Sequence, residues 1–249
     1  MGRSQRDSFD RFRTPSAPYL NIGSDSFGLA DGRAIERSFV DAGRRLRSEL
    51  LRLNDLLGRG SITVQGYVVS ARAAVRTAFF HAYSLGAISV FPFYTMTDRD
   101  VRILNEELSS ETGFLRSFGR DIARGHLHLD PVQRSGLYLL ALRGIFERGR
   151  VEAMPPGPYR WQLGITEHCS ECMDAAVRGP YQRDQYSGLG FPALPGSPGD
   201  GSVCLGLTRC GCRIGLANGT PVPNQELAER LRGRLLEIAY GSRATAEGP

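Results

Sequence analysis

Lysine is missing from this chain. All 31 basic side chains among its 249 residues are arginine, set against 26 acids for a net charge of +5. Arginine keeps its charge at any relevant pH and grips carboxylate or phosphate with a planar fork. Contact with polyanions through counterion release is therefore open to it. No stretch is a purely basic tail, because acids are interspersed, as in GRRLRSELLRLND. Codon bias in a GC-rich genome also produces an arginine-only usage and needs no selected binding role.

Long apolar runs are missing too. The longest, such as GLYLLAL, fall far short of the ~18 residues that span a bilayer. The opening MGRSQRDSFDRFRTPSAP lacks the apolar segment of a signal peptide. Its sixth residue, Arg6, departs from the myristoylation pattern. The expectation is a chain with no membrane span, made in a cytoplasm where thiols stay reduced. No zincin HExxH, phosphate-cradling glycine loop or Ser-His-Asp pattern occurs. Cysteine does not appear before position 169, and there is one tryptophan.

What is present is a long helical periodicity followed by a change of texture. Residues 1–30 have little periodicity and read as an N-terminal arm. Ile35, Phe39, Ala42, Leu46, Leu50, Leu53 and Leu57 recur at three- and four-residue steps, which predicts an amphipathic helix stopped by Gly58. Val64, Val68, Ala71, Val75, Ala78, Phe79, Ala82 and Leu85 predict a second, closed by Gly86. AISVFPFYTM, interrupted by Pro92, reads as a buried connection rather than a central strand. Thr97 or Asp98 caps a third helix carrying Val101, Leu104, Leu108, Leu115, Phe118 and Ile122. Gly125 ends it, ahead of an exposed turn with His126 and His128. Asp130 followed by Pro131 opens a fourth, with Leu137, Leu140, Ala141 and Ile145 inward. Residues 31–153 thus form a helical domain.

MPPGPYR marks a boundary. Residues 154–220 are rich in Gly and Pro and hold every cysteine and Trp161. Apolar residues there are too scattered for an ordinary core, so a module of this kind needs a staple. Residues 221–249 return to helix, with Asn224 as cap, Leu227, Leu231, Leu235 and Ile238 on one face, and a frayed end. The fold class is mainly α: a helical bundle, a small Cys/His-stapled module and a C-terminal helix.

The staple is written in TEHCSECMDAAVRGPY and CLGLTRCGCRI. A Cys-x-x-Cys pair, Cys169 and Cys172, is followed at a distance by a Cys-x-Cys pair, Cys210 and Cys212. Each short pair can grip a tetrahedral zinc from a tight turn. A structural zinc supplies on the order of 10 kcal/mol in small peptides, enough to organise such a module. Cys204 and His168 are alternative ligands, and the spacing does not choose four of the six. Disulfides compete, although the odd cysteine count argues against a full framework. A redox Cys-x-x-Cys lacks the expected strand-to-helix setting. A catalytic thiol needs a base, and His168 beside Cys169 is the one sequence-local candidate. His81 reads as a core or boundary residue of the second helix.

These motifs carry a resemblance. Trp161 ahead of Glu167, His168, Cys169 and Cys172, then Gly179, Pro180 and Tyr181, then Gly199, Asp200 and Gly201, and finally Cys210, Cys212 and Arg213 resemble the C-terminal region of the Mu F-like minor head proteins of tailed bacteriophages. More loosely, the likeness reaches back through the helices and covers roughly residues 35–214. Cys210-Gly211-Cys212-Arg213 stands where the family often has Cys-Arg-Cys, and Cys204 is extra. The resemblance implies a non-enzymatic, low-copy structural protein of the phage head, acting in head morphogenesis and capsid assembly near the portal. It also implies localisation in the virion and contact with portal, major capsid or other head proteins, and with packaged DNA.

Two other classes remain in view. A nucleic-acid-binding zinc protein predicts salt-sensitive DNA binding, but no basic stripe lies near the cysteines. A thiol enzyme predicts one cysteine activated by an adjacent base.

Overall fold

The computed structural model describes residues 31–125, 130–155, 157–163, 170–185, 212–219 and 224–240. The expected arm at 1–30, the His126 and His128 turn and the tail beyond residue 240 lie outside them. The fold is mainly α: six helices and one two-stranded sheet among the described residues.

Each of the first four helices starts where a short polar side chain can accept an orphan backbone N–H. Helix α1 (Gly32–Gly58) is capped by Asp31, which accepts from Arg33 N. Helix α2 (Val64–Val90) is capped by Thr63. Helix α3 (Asp98–Arg124) begins with a capping box between Thr97 and Asp100 and ends at Gly125, whose φ of 66° lies in the left-handed region. Helix α4 (Pro131–Ala153) has Asp130 as cap and proline in its first turn. The small sheet pairs β1 (Tyr159–Gln162) antiparallel with β2 (Arg213–Leu216). Between them lies α5 (Ser170–Arg178), and α6 (Gln225–Tyr240) closes the described chain.

The centre of the molecule is α4, where every residue from Tyr138 to Val151 is buried. It packs on α2, α1 and α6. The crossing with α2 is unusually close: a Cβ added at Gly86 would sit 2.0 Å from the Phe146 carbonyl oxygen, and one at Gly149 would sit 2.1 Å from that of Tyr83. Gly86 therefore does not close the second helix, which runs on to Val90. The residue is there because two backbones meet at it. Around the crossing, Phe39 meets Phe146 edge-on at 5.5 Å, and Tyr67 meets Phe118 at 6.2 Å. A buried polar chain joins three helices: the Tyr67 hydroxyl donates to Asn54 Oδ1 at 3.1 Å, and Asn54 Nδ2 donates to Ser135 Oγ at 3.0 Å.

Two other details differ from the sequence pattern. Phe91 and Phe93 are exposed, at 51% and 76%, because the turn closed by Tyr94 N on Phe91 O lifts both rings off the bundle. The α2–α3 connection is thus not a buried one. Leu137 is 39% exposed, since it lies about 200° around α4 from Ser135, which faces Asn54.

Helix α6 buries Leu227, Leu231, Leu235 and Ala239 against α4 and α1. Asn224, just before it, has a φ of 53°, and its amide donates to the Ser89 carbonyl at 2.8 Å. The start of α6 is thereby tied to the end of α2.

The glycine crossing yields a test by chemical denaturation. Gly86→Ala or Gly149→Ala should cost about 3 kcal/mol, the upper part of the overpacking range. Gly113→Ala on α3, where nothing lies within 4 Å of an added Cβ, should stabilise by roughly 0.5–1 kcal/mol through helix propensity. Equal effects at the three sites would remove the crossing as the controlling contact.

Candidate functional site

The Cys-bearing module is built on a short ladder. Tyr159 pairs with Leu216, Trp161 with Ile214 and Gln162 with Arg213. Tyr159 and Trp161 point inward and Arg160 outward, the alternation a pleated strand imposes. Tyr181 extends the ladder by one bridge, exchanging two backbone hydrogen bonds of 2.7 Å with Tyr159. Its hydroxyl donates to the Ala175 carbonyl at 2.8 Å, fixing α5 beside β1.

The two cysteines within the described residues both end up inside. Cys172 lies in the first turn of α5 at 2% exposure, and Cys212 directly precedes β2 at 0%. They share a contiguous core with Trp161, Ala175, Tyr181 and Ile214. Cys169, Cys204, Cys210 and His168 fall outside the described residues, as do Glu167, Gly199, Asp200 and Gly201. Among the described residues no three His, Cys, Asp or Glu side chains come together as metal ligands.

Two arginines anchor the module to the bundle. Arg143 of α4, fully buried, donates from Nη2 to the Cys212 carbonyl at 2.8 Å. Arg183 donates to the Met154 carbonyl and, at 3.1 Å, to the Tyr159 hydroxyl, which itself donates to the Pro155 carbonyl at 2.7 Å. Sequence reasoning missed Arg143. Its signal was present as a charge inside the apolar run LYLLALRGIF, a position that burial makes costly unless an acceptor waits there.

Elsewhere, three polar groups have chemistry to weigh. Ser38 Oγ and His81 Nε2 are 2.9 Å apart. Burial first and the Arg45 charge second hold the His81 imidazole below its ordinary pKa, outweighing a hydrogen bond to the Ser38 backbone. Among the described residues no carboxylate completes a triad there: the charge acting on the ring is the Arg45 cation, the wrong sign to support a general base. Asp100, in the α3 capping box, is buried, which alone would raise its pKa. Hydrogen bonds from Tyr83, Thr97 and Tyr94 outweigh that and hold the carboxyl below the usual range. Glu111 of α3 is pushed up to about 7 by burial and then by the charge of Glu107. Glu107 itself pairs with Arg148 of α4 at 2.6 Å. These groups stitch helices together and form no open cleft.

No family model, curated protein or solved structure matches the chain. Among the described residues no helix is long and apolar enough to cross a membrane.

Two measurements follow from this geometry. Trp161 is buried in the module, so its emission reports on the module while far-ultraviolet circular dichroism reports on the helices. Arg143→Leu should red-shift Trp161 emission and speed amide exchange in β1 and β2, at a cost of about 1–3 kcal/mol for the stranded carbonyl, with helicity retained. Unchanged emission and exchange would mean that the tether carries no load. For Glu111, the folded pKa lies above the unfolded value of 4.5. The folded chain therefore holds a proton that the unfolded chain releases, and stability falls as pH rises from about 4.5 to 7. Glu111→Gln should flatten that part of a stability–pH profile.

Proposed function

We propose that this chain is a non-catalytic structural protein of a tailed-phage head, acting in head assembly near the portal, with a Cys/His-stapled module held against a helical body. The observation that carries the reading is the motif series from Trp161 to Arg213, together with the burial of its two described thiols, Cys172 and Cys212, in one core. Structural thiols are buried, whereas catalytic thiolates sit in accessible, electropositive clefts. The Ser38–His81 pair lies on the bundle, on α1 and α2, and offers no base to the thiols of the module.

Zinc is the proposed staple. Cys172 in the first turn of α5 and Cys212 just before β2, with Cys169 and Cys210 near them in sequence, would supply four sulfur donors from two short segments. His168 and Cys204 are the substitutes. The bound ion would fix the module's two halves and supply no reactive water, since a four-thiolate shell is closed. Such a module can keep its shape on little apolar core. The helical body offers faces to portal, major capsid or other head proteins, and the virion is the proposed location.

Elemental analysis beside a thiol count tests the staple. The expectation is about one zinc per chain, loss of native Trp161 emission on chelation or in Cys172→Ser, and near-constant helicity of the bundle. Metal-free protein with few titratable thiols would replace zinc by disulfides. Absence of the protein from purified particles, by mass spectrometry, would end the head-protein reading.

A further inference from the structure

At about 100° per residue, Arg33, Arg37, Arg44 and Arg47 of α1 fall within about 80° of one another. With Arg234 of α6 they line an open groove of about 930 Å³ between the two helices. From Arg33 to Arg47 the stripe runs about 21 Å.

The acids of the groove are already engaged. Glu36 accepts Arg230 at 3.2 Å and Arg234 at 3.4 Å, Asp41 lies 3.5 Å from Arg44, and Glu237 lies 3.1 Å from Arg234. Arg33, Arg37 and Arg47 have no carboxylate in ion-pair reach among the described residues. The Nε of Arg47 is buried and has no hydrogen-bond acceptor there. Three fixed positive charges therefore face a single groove.

The geometry points to a phosphate-backbone site: the α1–α6 groove binds double-stranded nucleic acid without reading its sequence. The lining selects that ligand. Its apolar members are Val40 and Ile238, too little surface to seat an amphipathic helix by its apolar face. No aromatic ring lines it, so it lacks the stacking platform that single strands use. A stripe of about 21 Å instead spans an axial length over which one duplex strand presents about six phosphates, at about 3.4 Å each, of which the three unpaired arginines can neutralise about three. Arginine forks meet such oxygens in pairs of hydrogen bonds. The inference rests on the groove alone and stands whether or not the chain belongs to a phage head.

The test is fluorescence anisotropy of the full chain with a short arbitrary-sequence DNA duplex between about 50 and 200 mM salt. Binding should weaken with salt, with a log–log slope of about −3 for three neutralised phosphates. The variant R33Q/R37Q/R47Q should lose on the order of tenfold or more in affinity and most of that slope. R102Q/R116Q/R120Q on α3 removes the same charge from another face and should bind nearly as well as the parent. Circular dichroism checks that all three fold. Should R47Q unfold the chain, the exposed pair R33Q/R37Q carries the same comparison, with a slope change of about 2. Equal losses in the groove and α3 variants would overturn the site by reducing it to net charge. Capture of polyglutamate with no binding of duplex would overturn it in favour of an acidic protein segment.

Discussion

Two helical backbones can touch only where neither carries a side chain, and the crossing of α2 with α4 is built on that rule. Gly86 lies against the Phe146 carbonyl and Gly149 against that of Tyr83, at separations that no Cβ could occupy. The approach draws α4 into the middle of the molecule, and its remaining faces are covered by α1 and α6. A helix surrounded in this way is usually apolar all round. This one keeps Arg143, Glu147, Arg148 and Arg150 inside, so the crossing creates the electrostatic problem that the neighbouring structure must answer.

The answers differ along the helix. Glu147 and Arg150 meet each other at 3.2 Å with neither exposed, and Arg148 reaches Glu107 of α3. Arg143 reaches beyond the bundle to the Cys212 carbonyl. Buried ion pairs add little net stability compared with apolar packing, yet losing one partner is costly. Their effect is to fix register: α3 is tied to α4 at one position, and the Cys-bearing module is seated at another. The module is thus held twice, by its own ladder and shared core and by a charge belonging to the bundle.

Much of the bundle was legible because amphipathic periodicity and capping chemistry are local. Thr97 and Asp130 cap where the sequence pattern places them, and Asp31 and Thr63, which the pattern did not single out, cap by the same chemistry. Gly86 misled because glycine signals both a helix stop and a close approach, and which applies depends on α4, about sixty residues further along the chain. The Phe91 and Phe93 rings misled because apolar character predicts burial in one direction only. At the site, the Cys-x-x-Cys and Cys-x-Cys pairs were legible as motif and spacing, but the pairing of β1 with β2 that sets Trp161 beside Ile214 was not, since neither four-residue strand carries a local signal. The Arg143 tether was not, since nothing local joins residue 143 to residue 212.

The absence of lysine gains meaning from where the arginines lie. Codon bias accounts for which cation is used on an exposed face, where either residue would remain charged in water. It does not account for placing cations at 143, 148 and 150, inside the bundle. There a lysine ammonium would tend to lose its proton, whereas guanidinium stays charged and spreads its donors over a plane. The same property on the outside of α1 turns an ordinary amphipathic helix into a row of permanent forks. Burial of one set of arginines fixes the architecture, and exposure of another leaves a charged groove on it. The two sets lie on different helices, the buried one on α4 and the exposed one on α1 and α6, and each owes its role to what its own helix packs against.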